Sequence, residues 1–184
     1  INEKNSIIIF GARLPVQLSG YKFDNKEGGS EGGKWEAKFV PVGEYSSIEE
    51  SFIKEVSDLS KENKIILIYP VPEVGWNVPS KLWIDRKNKF RTELSNELIT
   101  TSFKVFEERT KSSFELLNKI YNKNIYRVYP HKLFCNTNIK KRCVAHDNNY
   151  IFYADDDHPS QKGAEMINSL IIEEINKIEK KNFK

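Results

Sequence analysis

Three short apolar runs, each passing through a loop towards a helical stretch, confine this chain to an α/β architecture. They are residues 6–10 (SIIIF), 64–69 (KIILIY) and 125–129 (IYRVY). The first two are apolar almost throughout, which suits strands buried on both faces of a parallel sheet. A fourth run, residues 150–153 (YIFY), reads as another buried strand, and residues 35–40 alternate weakly, like an edge strand. Between the strands lie amphipathic stretches. Ser46 or Ser47 opens a helix, with Glu50 as capping-box partner. Its stripe is Ile48, Phe52, Ile53, Val56 and Leu59, and Asn63 lies near its end. Thr101 or Ser102 opens a second helix that runs to about Tyr121 with Val105, Phe106, Leu116, Leu117 and Ile120 inward. A third runs from Ser160 to about Glu179 and buries Ala164, Ile167, Leu170, Ile171, Ile175 and Ile178. Residues 70–79, with three prolines, a glycine and a tryptophan, read as a rigid extended loop, and residues 80–100 give no clear pattern. Strand and helix alternate, so the expectation is a mainly parallel sheet covered on both faces, a three-layer α/β/α sandwich. With 184 residues there is material for one such domain, spanning residues 1–184.

The chemistry concentrates at the end of the fourth run, in YIFYADDDHPSQKGA. Asp155, Asp156, Asp157 and His158 follow the apolar residues, and Ser160 then starts a helix. Titratable groups placed there sit at the lip of the sheet, where such folds keep their sites. Asp155 and His158 are three residues apart, so the carboxylate can curl back onto the ring and fix its tautomer, the orienting half of a Ser-His-Asp arrangement. Two other readings stay open. Acidic residues ahead of a helix favour its N-terminus, with Ser160 as the cap, and the carboxylates offer oxygen ligands to a divalent cation. A nucleophile is harder to place. Residues 28–32 (GGSEG) match G-x-S-x-G, but polar residues flank Ser30 on both sides, where a nucleophile elbow needs a buried strand and a helix.

Composition excludes several classes. The net charge of +3 comes mostly from lysines interleaved with glutamates, a solvated surface rather than a nucleic-acid partner. No apolar run approaches the ~20 residues of a membrane span. The chain opens at Ile1 without a start methionine, close to a strand, and reads as a piece of something longer. Cys135 and Cys143, with seven residues between them, suit a disulfide in an oxidising compartment. Zinc competes, because His131 and His146 lie close by, although neither CxxC nor HxxxH spacing is present.

Several segments together resemble a known family. Asp155-x-x-His158 on a strand-to-helix turn is similar to the last block of SGNH (GDSL-type) hydrolases. More narrowly, ILIYPVPEVGWNVP, the paired-cysteine segment LFCNTNIKKRC, and YADDDHPSQKGA resemble the SGNH domain attached to membrane acyltransferases that O-acylate bacterial surface polysaccharides. IIIFGARLPVQLSGYKFDNKEGG is similar to that family's second-strand segment and acidic-glycine loop.

The resemblance implies a flavodoxin-like SGNH fold, here with its first strand and helix missing. It implies an extracytoplasmic O-acyltransferase domain that moves an acetyl group to a cell-surface glycan through an acyl-serine. The parent would be embedded in the bacterial membrane through an acyltransferase domain. Asp155 and His158 would be catalytic, Cys135 and Cys143 disulfide-bonded, and no cofactor or metal would be required. The family's serine lies in a Gly-Asp-Ser block at the first strand, which this chain does not contain, so the chain alone is expected to be inactive on simple esters. The usual oxyanion asparagine is also missing. Gly11, Ala12 and Arg13 stand near its place, which makes Gly11 and Arg13 candidates to contact an oxyanion or substrate, with an ordinary salt-bridge arginine as the other reading of Arg13. Trp35 and Trp76 are candidates to stack on a sugar ring, although large aromatics beside prolines more often serve as packing, and Asp156, Asp157 and Ser160 shape the turn. The partners would be an acyl donor and a glycan acceptor. The alternatives are a nucleophile-less carbohydrate-binding or interaction domain, a carbohydrate esterase, or a cation site at residues 155–157.

Overall fold

The structure, a computed structural model, describes residues 4–32, 39–41, 43–88 and 98–182. Strand β1 (Ile7–Phe10) leads into a short helix α1 (Leu14–Ser19), whose first turn carries Pro15. At a helix start the missing N–H of Pro15 costs nothing. Helix α2 (Ile48–Glu62) follows, and Ser47 caps it by accepting from the Glu50 N–H at 3.1 Å. The Glu50 carboxylate reaches the Ser46 N–H instead of that of Ser47, so the reciprocal cap is staggered by one residue. Strand β2 (Lys64–Ile68), helix α3 (Val78–Asn88), the short strand β3 (Thr100–Ser102) and helix α4 (Phe103–Lys119) come next. The chain continues through β4 (Ile125–Val128), a one-turn helix α5 (His131–Phe134), β5 (Arg142–Val144) and α6 (Gln161–Asn182).

The central sheet is parallel, in the order β1-β2-β4. Side chains alternate across a strand, and β2 shows how that builds two cores. Ile65 and Leu67 point to one face, where Val56 of α2, Leu116 and Leu117 of α4 and Ile120 just after it cover them. Ile66 points to the other, against Val128 and Ile178, with Leu170, Ile171 and Ile175 of α6 packed around them. All three β2 side chains have no exposed surface, and each contributes roughly 1.5–3 kcal/mol by burial. The three-layer α/β/α expectation is met: helices α2 and α4 form one layer, α6 the other. A separate two-stranded antiparallel pair, β3 with β5, places Thr101 opposite Cys143.

Two expectations need correction. Residues 150–153 do not join the sheet. Phe152 donates its N–H to the Ala145 carbonyl at 3.0 Å, and its own carbonyl accepts from the Ser160 N–H at 2.9 Å, so the segment pairs locally on both sides. Its apolar character has another cause: Phe152 and Tyr153 are buried in a third cluster with Val74, Val78, Phe134 and Ile167. The proline-rich loop is also shorter than expected. Val78 and Pro79 already belong to α3, and Asn77 caps that helix by accepting from the Ser80 N–H at 3.0 Å. Helix α3 thus fills part of the stretch that gave no pattern. The proposed edge strand at residues 35–40 lies largely outside the described residues, as does Trp35.

Helix α6 starts one residue later than expected. Ser160 is its cap, since its hydroxyl accepts from the Gly163 N–H at 3.1 Å and donates to the Ile151 carbonyl. Gly163 is required there, because a Cβ would lie 2.2 Å from the Phe152 carbonyl oxygen. This close approach brings the helix start against the turn that carries the candidate site.

Candidate active site

Three loops interlock beyond the C-terminal ends of β1 and β2. The exit of β2 (residues 69–77) meets the acidic turn (154–159) through backbone bonds. The N–H groups of Val74 and Gly75 donate to the Asp156 carbonyl at 3.0 and 2.9 Å, and that of Val78 donates to the Asp155 carbonyl at 3.2 Å. The third loop is the turn at residues 24–30, held by the fully buried Asn25. The Asn25 side chain donates to the Val74 carbonyl and accepts from the N–H groups of Glu27 and Gly29. Trp76 lies so close over Gly29 that a Cβ there would sit 2.5 Å from its indole nitrogen, and Lys81 covers the Trp76 ring at 4.8 Å. In this structure Trp76 serves as packing between the two loops.

The acidic turn orients a histidine. One carboxylate oxygen of Asp155 accepts from the N–H groups of Asp157 and His158, at 3.0 and 2.8 Å. The other meets His158 Nδ1 at 2.9 Å, so Nδ1 carries the proton and Nε2 is left as the basic nitrogen. The His158 side chain is 73% exposed, which leaves Nε2 free to meet a reacting group. Burial works against ionisation of Asp155, but the two backbone N–H groups and the ring outweigh it and hold its carboxyl below the ordinary range. The bond to Asp155, then the charge of Asp157, raises the pKa of His158.

Behind the histidine lies a buried ionic cluster. Asp157 approaches His158 Nδ1 at 3.0 Å with one oxygen and Arg13 at 2.8 Å with the other. Arg13 also forks onto Glu31 at 2.9 and 2.7 Å and bonds Glu73. Glu73 accepts in turn from Arg109 at 2.8 Å. Burial opposes the charge of Arg13, yet Glu31 and Glu73 more than offset it and raise its pKa. For Asp157 burial dominates, and its pKa is pushed up to about 6 against the pull of Arg13 and His158.

Of the residues expected from sequence, Gly11, Arg13 and His158 line one cleft of about 410 Å³, together with Ile68, Val71 and Ile171. Asp155 stands behind the histidine. All three guanidinium nitrogens of Arg13 are engaged by carboxylates. Ser30 lies elsewhere, on an exposed bridge to Asp24 at the edge of the 24–30 turn. Among the described residues no serine hydroxyl bonds the His158 ring.

Glu31, Glu73 and Arg109 were not singled out from the sequence, and Asp157 was read only as part of the turn. Glu73 carried a signal, an acid inside an otherwise apolar, proline-rich strand exit. Asp155, Asp157 and His158 bring possible ligand atoms within 4.8 Å of one another, but those of Asp157 and His158 are already bonded within this cluster.

The cysteines form a disulfide, Cys135–Cys143. His146 is buried with both ring nitrogens in use: Nε2 accepts from the Ile99 N–H, and Nδ1 faces the Asp147 carbonyl. The zinc reading therefore has neither free thiolates nor a free His146.

Comparison with known proteins adds one match. Residues 1–173 fit the model of the SGNH domain found fused to AT3 domains. No curated protein and no solved structure matches. The match covers the β1 exit, the β2 exit, the disulfide loop and the Asp155–His158 turn together, so the chain belongs to the family of acyltransferase-associated SGNH domains.

Proposed function

We propose that this chain is the extracytoplasmic SGNH domain of a membrane-bound O-acyltransferase that passes an acyl group, acetyl in the simplest case, to a cell-surface glycan. The observation that carries the reading is the Asp155–His158 pair, with Nδ1 held at 2.9 Å and Nε2 open beside the cleft. His158 takes the proton of a serine hydroxyl as its oxygen attacks the donor carbonyl. The serine belongs to a part of the parent protein outside this chain. The tetrahedral intermediate then expels the donor's leaving group, which receives the proton from Nε2 and leaves an acyl-serine. A sugar hydroxyl repeats the sequence in reverse and carries the acyl group away, with water as a competing acceptor. Asp155 holds the ring and stabilises the imidazolium formed in each half. The backbone N–H of Gly11, at the same cleft, is the proposed donor to the oxyanion.

In the parent protein, His158→Ala is expected to abolish acyl transfer to glycan. It should leave thermal stability nearly unchanged, because the ring is exposed. Activity equal to wild type would overturn the assignment.

A further inference from the structure

The buried cluster behind His158 has unequal charges. Among the described residues, Glu31, Glu73 and Asp157 supply three carboxylates, and Arg13 and Arg109 supply two guanidiniums, so one negative charge is unbalanced. Lys22 also acts on Glu31, but from the solvent side, where its ammonium donates to the Gly32 carbonyl. Within the cluster, Asp157 is the carboxylate that meets His158. Asp157, with its side chain only 6% exposed, turns one oxygen to Arg13 and the other to His158 Nδ1.

We propose that Asp157 is a second positioning carboxylate for His158, kept ionised by Arg13, so that the imidazolium formed during proton transfer neutralises the excess charge of the whole cluster. The proposal rests on His158 being the base. Its physical content is independent of any substrate. The ring Nδ1–H sits between Asp155 at 2.9 Å and Asp157 at 3.0 Å, so either carboxylate can accept it, and both favour the protonated ring. Asp155 is partly open to water, which weakens its field, whereas Asp157 acts from a buried position where screening is less. Arg13 is needed because Asp157 shares its surroundings with Glu31 and Asp155, both of which oppose its charge. Arg13 is thereby assigned to holding the base, through Asp157, rather than to binding the oxyanion directly.

The test is the NMR titration of the His158 ring in this chain. Asp157→Asn should lower its proton affinity about tenfold, as expected for losing a close, partly buried charge. The same variant leaves two carboxylates facing two guanidiniums, so folding should survive. Asp156→Asn is the control. Its carboxylate accepts from the Gly32 N–H and does not face the ring, so the titration should stay in place. An unchanged titration in Asp157→Asn would overturn the proposal, as would equal shifts in both variants, which would mean a general charge effect. If Asp157→Asn does not fold, Arg13→Gln gives a second reading. The Asp157 carboxyl should then titrate at higher pH, and no change would overturn Arg13's role. None of these readouts requires acyl transfer, so they stand apart from the proposed activity.

Discussion

Acidification should reveal the cost of burying His131. Its ring stacks on Phe106 and meets Phe114, both with centroids 5.4 Å away, and Tyr129 stands edge-on at 6.0 Å. Its Nδ1 is buried with no hydrogen-bond partner among the described residues. A proton added there would charge a group with no acceptor among aromatic rings. Burial, with a smaller effect from Lys132, accordingly pushes the pKa down from 6.5 to about 4. In the unfolded chain the same ring titrates near its ordinary value. The unfolded state therefore takes up the proton first as the pH falls. The stability linked to this group is complete above about pH 6.5, declines from there, and levels off below about pH 4. The full gap corresponds to about 3 kcal/mol, an upper figure for a ring that keeps some contact with water. By about pH 4.5 roughly 2 kcal/mol should be lost, a sizeable share of a typical domain's 5–15 kcal/mol.

Urea unfolding near neutrality and at about pH 4.5 measures this, for wild type and for His131→Phe. The cavity of about 290 Å³ beside the ring, lined by Phe103, Phe106, Thr110 and Phe114, gives the larger side chain room. Other groups titrate over the same range. Asp157, raised to about 6, works in the opposite sense, adding stability as the pH falls from about 6 to 3.8. Such contributions are common to both proteins and cancel in the difference. Wild type should lose about 2 kcal/mol more than the variant between the two conditions. Equal losses would refute the argument that a half-buried imidazole with an unsatisfied nitrogen controls this part of the acid response.

Two further outcomes are expected. Reducing Cys135–Cys143 removes a short loop constraint, which should cost about 2–3 kcal/mol and lower the melting temperature by about 5–10 °C, measured by circular dichroism with and without dithiothreitol. The isolated chain should not hydrolyse p-nitrophenyl acetate above background; steady turnover abolished by Ser30→Ala would place the nucleophile inside the chain and refute an external serine.

How much of this was legible in the sequence depends on how local the determinants are. The KIILIY run named β2 because five successive apolar residues, three of them fully buried on two faces, leave no room for polar alternation. The Asp155–His158 contact was legible for the same reason, since a three-residue spacing fixes it almost by itself. The YIFY segment misled because apolar character reports burial and not sheet pairing; Phe152 and Tyr153 are buried against α3, α5 and α6 instead. Pro79 was counted as loop because a proline ends a strand and begins a helix with equal ease. Arg13 and Asp157 were each picked out alone, but the cluster that joins them was not legible. The Arg13 partners Glu31 and Glu73 stand 18 and 60 residues away, and no spacing rule links an arginine after β1 to acids in two other loops. Only the closing of the sheet brings them together.

The backbone bonds from Val74, Gly75 and Val78 to the acidic turn carry one more consequence. Because the strand exit itself clamps the carbonyls of Asp155 and Asp156, the imidazole's orientation is settled when the chain folds and not when a substrate arrives. The ordering entropy that a mobile base would incur at each catalytic cycle is incurred once, in folding. The turn, the strand exit and the Asn25 loop should therefore open to solvent as one cooperative unit, so that a substitution such as one at Gly29, remote from any proton transfer, would loosen the histidine as surely as a change beside it.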